Sequence, residues 1–279
     1  MKPETRSAKS QPLITFFILT FAITWGLGAI AIFLPEQFIR LFGELTETSP
    51  IYFLAIAAPS ISATILTSAW DGWQGLKLLY ARLVHWRFDF KWYVLVLLGI
   101  PALGWIAAKL TGASPLRTAN TSMEFLWLLF YILITGPLCE ELGWRGYALP
   151  RLLEFFNPFL ASLVLGALWG LWHLPSFFLG GMVQAGLSLP LFLLNALLLS
   201  IFVTWVYMYT GGSVLITVLI HYMVNICLSI FGVAPIVFII LLLAVNILIL
   251  VYDQRLEWFH PMGINYRIKL IGDVKRSQS

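Results

Sequence analysis

Charge is what this sequence has least of. Asp, Glu, Lys and Arg make up 11% of its 279 residues while 60% are hydrophobic, whereas a soluble domain carries about a quarter charged residues. No soluble core could hide that much apolar surface, which excludes an ordinary globular protein. The two cysteines, Cys139 and Cys227, are too few for a disulfide framework; both sit in apolar runs and read as small buried side chains. Phosphate-binding glycine loops, dinucleotide fingerprints, low-complexity tracts and internal repeats are also missing.

What is present instead is a series of long apolar runs, at 13–34, 51–69, 92–109, 124–149, 158–179, 188–209, 213–230 and 233–252. A helix needs ~20 such residues to cross ~30 Å of hydrocarbon. The fold expected is therefore an all-α, polytopic integral membrane protein of about eight transmembrane helices. The first run is too long for a signal peptide and lacks a small-residue cleavage site, so it counts as a span. Segment 71–91 interleaves Trp73, Leu76, Leu79, Tyr80 and Leu83 with Lys77, Arg82 and Arg87, the pattern of a helix lying in the membrane interface.

Orientation follows from the cations, which accumulate on the cytoplasmic side. With both termini inside a cell membrane, fourteen of the seventeen Lys and Arg residues fall on the inner side, and Arg40, Lys109 and Arg117 fall outside. The net charge of +4 is thus accounted for by the lipid bilayer, and no nucleic acid partner is expected.

An ionisable side chain deep in a bilayer costs a few kcal/mol and asks for a partner or a purpose. Glu140 and Glu141 with Arg145, His173, and His221 are such groups, on three separate spans. At a rise of about 1.5 Å per residue, Glu140 lies ~16 Å from the inner end, His173 ~22 Å, His221 ~12 Å and Asn225 ~18 Å. They share one layer near mid-membrane. Spacings of three, four or seven put Gly136, Glu140 and Gly143 on one side of a helix, Gly166, Gly170 and His173 on one side of another, and Ser213, Thr217, His221, Asn225 and Ser229 on a third. Small residues let helices approach closely, so these sides face protein. Glu141 and Arg145 have the order of an (i, i+4) ion pair and read as structural support. Asn195 and Asn246 read as interhelical hydrogen-bond donors.

The stretch Glu140-Glu141-Leu142-Gly143-Trp144-Arg145 resembles the first motif of the CAAX prenyl protease and bacteriocin-processing family of intramembrane proteases. Trp169 four positions before His173 looks like its second motif, and His221 four positions before Asn225 looks like its third. The resemblance spans roughly residues 124–229. One departure is Trp169, where the family usually has Phe. The chain accordingly divides into N-terminal helices with the interfacial segment (1–123), a protease core (124–229), and a last helix with a basic cytoplasmic tail (230–279).

The resemblance implies an endopeptidase acting on membrane-associated protein or peptide substrates. Peptide hydrolysis needs an activated water and a holder for the oxyanion. Glu140 is the candidate general base, His173 positions and polarises the water, and His221 and Asn225 donate to the oxyanion. Two His and a Glu with an open position are also a catalytic zinc set, so zinc on Glu140, His173 and His221 is the alternative. The His-Glu-xx-His helix signature of soluble zinc proteases is absent, which favours a glutamate mechanism with no cofactor. A different class of function, a transporter or an immunity-type scaffold, would also use intramembrane Glu, Arg and His. Against a carrier stands the absence of repeated halves.

Overall fold

The computed structural model describes residues 6–113, 121–253 and 258–260, with side chains from Gln11 onward. Lys2, Arg117, Arg255, Arg267, Lys269, Lys275 and Arg276 lie outside the described residues, and with them the expected basic tails. Among the described residues every regular element is helical. Five helical segments are long and apolar enough to cross a membrane: Gln11–Phe33, Lys91–Thr111, Ser122–Leu152, Leu189–Tyr209 and Pro235–Tyr252. A bent pair, Pro50–Ile56 with Ala58–Val84, and two shorter apolar helices, Pro158–Trp172 and Val214–Ile230, complete the set. These are the eight segments expected, in the expected order, and the protein is a polytopic helical membrane protein.

Three spans differ from the uninterrupted helices that the apolar runs suggested. The second is bent by 62°, and Thr24 of the first span donates its hydroxyl to Ala55 O at 2.7 Å beside the bend. Beyond it, Gly72 takes φ 61° and ψ −160° inside Ala58–Ala81, a left-handed conformation that glycine adopts at little cost. The segment expected to lie in the interface thus begins at a kink. The fourth span is broken at Gly136, with φ −147° and ψ −85°, because Pro137 starts a new helix, Pro137–Glu141, and disfavours a helical residue before it. The fifth ends at Trp172 and not near 179. Pro175 has no N–H with which to continue the helix, so the chain tightens into a 3₁₀ turn, Leu174–Phe177.

Packing follows the small residues. A Cβ on Gly166 would stand 2.9 Å from Leu197 Cα, and one on Gly170 would stand 2.9 Å from Leu193 Cδ2, so this pair brings Pro158–Trp172 onto Leu189–Tyr209. Gly143 sits closer still to the backbone of Pro59 by the same construction. Asn246 Nδ2 donates to Leu198 O at 3.0 Å, the interhelical bond expected of it. Asn195 does not: its Oδ1 is buried without a partner among the described residues. Both cysteines are free thiols.

One end of the bundle collects the first residues of the first span and several loops. Tyr147 donates to Pro12 O, Arg82 to Gly146 O, Ser213 to His85 O, and Asn157 to Phe259 O. At the other end Tyr131 donates to Glu47 at 3.0 Å to the carbonyl and 3.2 Å to Oε2. The polar groups of interest lie between.

Candidate active site

The break at Gly136 positions the first site residue. Glu140 is in the first turn of the helix that Pro137 begins, its N–H bonded to Gly136 O at 2.9 Å. A π-helical stretch, Leu142–Ala148, follows with all seven residues buried; such wide turns recur at functional sites. Within this stretch Gly143 packs against Pro59.

Adjacent glutamates have different partners. Glu141 is fully buried and its Oε1 accepts from Arg145 Nη1 at 2.8 Å and from His221 Nδ1 at 3.0 Å. The expected (i, i+4) pair is present, with His221 as its third member. Glu140 is 4% exposed and its Oε2 accepts from Trp169 Nε1 at 2.7 Å. The Arg145 guanidinium lies over the Trp169 ring, 4.6 Å from its centroid.

Local hydrogen bonds orient the histidines. His173 caps the C-terminal end of Pro158–Trp172, and its Nδ1 stands 2.9 Å from Trp169 O. A carbonyl only accepts, so Nδ1 carries the proton and Nε2 of the neutral ring is left as an acceptor. The ring is boxed edge-on by Trp172 and Phe192, with centroids 4.7 and 5.0 Å away. His221 is held in the same sense by Glu141: Nδ1–H is committed to the carboxylate, and Nε2 donates only when the ring carries both protons.

The groups converge on bare backbone. A Cβ built on Gly136 would lie 3.4 Å from Asn225 Nδ2, 3.7 Å from Glu140 Oε1 and 3.9 Å from His221 Nε2. One point thus lies within 4 Å of three polar atoms from two separate spans. His173 joins through Trp169, whose ring meets the His173 and His221 rings edge-on, with centroids 5.8 and 5.2 Å away. The four residues read from the sequence as Glu140, His173, His221 and Asn225 therefore border one space. Two further residues belong to the site: Gly136, whose bare face the polar atoms surround, and Trp169, whose indole N–H reaches Glu140.

That space is part of a cavity of about 710 Å³, which Gly136, Glu140, His173, His221 and Asn225 all line. Its walls are mainly apolar, with Leu128, Ile132, Leu191 and Phe238 among them, and it extends past Tyr52 and Tyr131 to Glu47, Val183 and Ser188. It therefore reaches the end of the bundle opposite Pro12 and Phe259. Among the described residues no three His, Cys, Asp or Glu side chains are grouped as a metal site.

Comparison with known proteins agrees with the motifs. Residues 122–227 match the family model of type II CAAX prenyl endopeptidases of the Rce1-like kind, a stretch that contains all three motifs. The chain is also 27% identical to a protein of Methanococcus maripaludis named CAAX prenyl protease 2, over 282 residues that cover 92% of this chain and 99% of the relative. The resemblance drawn from Glu140 to Arg145, Trp169 to His173 and His221 to Asn225 thus agrees with both comparisons, and the segment that carries these residues is similar to the Rce1-like CAAX prenyl endopeptidases.

Proposed function

We propose that this chain is an intramembrane endopeptidase that hydrolyses peptide bonds of membrane-associated proteins or peptides with a water activated by Glu140. The observation that carries the reading is the convergence of Glu140 Oε1, Asn225 Nδ2 and His221 Nε2 around the bare face of Gly136, on the wall of a mainly apolar cavity. An acceptor and two amide- or imidazole-type groups around one small space form a minimal set for adding water to a carbonyl.

In the reaction, Glu140 takes a proton from water while His173 Nε2 accepts the other hydrogen and fixes the oxygen's lone pair. The hydroxide adds to the scissile carbonyl. Asn225 Nδ2 donates to the resulting oxyanion, joined by His221 Nε2 when that ring carries two protons. Collapse of the tetrahedral intermediate breaks the C–N bond, and Glu140 returns its proton to the leaving amine. No covalent intermediate and no metal are needed. Glu141 and Arg145 support the site, fixing His221 from behind.

Catalysis inside the cavity benefits from the apolar surroundings, since hydrogen bonds to developing charge are stronger where water is excluded. The protein is placed in the cell membrane with both termini cytoplasmic, following the positive-inside distribution. The testing experiment reconstitutes the purified protein in lipid vesicles with a lipid-tethered reporter peptide. Cleavage is expected, and its rate should follow Glu140; a protein that moves solute across the vesicle wall and cleaves nothing would instead be a carrier.

A further inference from the structure

Trp169 contacts Glu140, Arg145, His173 and His221. Its indole N–H donates to Glu140 Oε2 at 2.7 Å, its face lies under Arg145 at 4.6 Å, its carbonyl accepts from His173 Nδ1 at 2.9 Å, and its ring edge meets His221. The side chain is 5% exposed. From these contacts we infer that Trp169 is a positioning residue, whose indole N–H fixes the Glu140 carboxylate for proton abstraction while its ring keeps the Arg145 charge on Glu141. The inference rests on the proposed role of Glu140.

The physical case has three parts. First, a carboxylate on a flexible two-carbon stem has several rotamers, and one short hydrogen bond to Oε2 selects the one that turns Oε1 toward Gly136. A base is effective only when its accepting oxygen is held within hydrogen-bond reach of the proton. Second, Glu140 and Glu141 are neighbours in sequence, and Arg145 lies within pairing distance of Glu141. An ion pair between Arg145 and Glu140 would tie up the base. The flat indole occupies the space between, and the guanidinium stacks on it and pairs with Glu141 at 2.8 Å. Third, a cation over an aromatic face draws electron density from the ring. The N–H at its edge becomes a better donor, so the two contacts reinforce each other.

The role separates from mere packing by an isosteric change. Replacing Trp169 with 3-benzothienylalanine keeps the bicyclic shape and the face under Arg145, and removes only the N–H. For the reporter peptide in vesicles, kcat should fall on the order of 10- to 100-fold, the measure of one hydrogen bond to a charged group. KM and the melting temperature should stay as in the parent. Trp169→Phe should show at least the same loss in kcat. An unchanged kcat in the benzothienyl variant, or a fall in kcat that tracks a fall in melting temperature, would each overturn the inference. Cleavage that survives Glu140→Gln alone would show that the Glu140 reading has failed, whatever Trp169 does.

Discussion

His221 Nδ1 and Arg145 Nη1 meet on the same oxygen, Glu141 Oε1, at 3.0 and 2.8 Å. That shared contact ties the first and third motifs together and gives Arg145 a role away from the chemistry. Both members of the Arg145 and Glu141 pair are fully buried, so neither can be removed without stranding the other.

Arg145→Ala should therefore lower the amount of folded protein as well as activity. Breaking a buried pair by deleting one partner costs about 3–5 kcal/mol. Thermal melting in detergent, with the folded fraction measured by size exclusion, checks this. A variant that melts like the parent yet cleaves nothing would move Arg145 into the reaction itself.

Gly136→Ala is a sharper test of the site's location. Its new methyl would make ordinary contacts of 3.4–3.9 Å with Asn225, Glu140 and His221, so the fold should tolerate it. The same methyl occupies the point where water and the scissile carbonyl must meet. Turnover should drop on the order of 10²-fold, the size expected for displacing reacting atoms by about an ångström. Parent-like turnover would place the chemistry elsewhere in the cavity.

Much of this site was legible in the sequence because ionisable groups in apolar runs are conspicuous. Glu140, Glu141, Arg145, His173 and His221 needed only depth and spacing to be drawn to one layer. The apolar runs likewise marked all eight segments. What the runs concealed was where helices stop. Hydropathy does not distinguish a helix from a 3₁₀ turn of equal apolarity, so His173 was placed mid-helix although Pro175 was the signal for its end. Pro137 gave the corresponding signal for Gly136. The indole of Trp169 reads as hydrophobic bulk until its N–H is seen at 2.7 Å from Glu140. Asn195 shows the opposite error: an intramembrane amide was given a helix partner, and it borders the cavity.

The direction in which the cavity faces can be read by labelling. In a background without Cys139 and Cys227, single cysteines at Lys77 and Glu44, both exposed, should react from opposite sides of intact cells. With the termini inside, a membrane-impermeant thiol reagent should label position 44 and spare position 77. The reverse pattern would invert the protein and open its cavity to the cytoplasm.

Metal dependence has an equally plain readout. The glutamate mechanism predicts that a strong chelator leaves cleavage of the reporter peptide intact. Stoichiometric zinc in the purified protein, with activity lost on its removal and regained on re-addition, would assign Glu140, His173 and His221 to a metal site.

The central claim is that Glu140 is the base, and Glu140→Gln measures it most directly. The amide preserves size and still accepts from Trp169, but it cannot take a proton from water. In vesicles the Gln variant should be folded, should still capture a crosslinkable substrate peptide, and should cleave none of it, with His173→Ala close behind. Asn225→Ala should retain more, losing on the order of 10²–10³ in turnover, as when one oxyanion donor is removed. Near-parental cleavage by Glu140→Gln would contradict the account and return the protein to the non-enzymatic class.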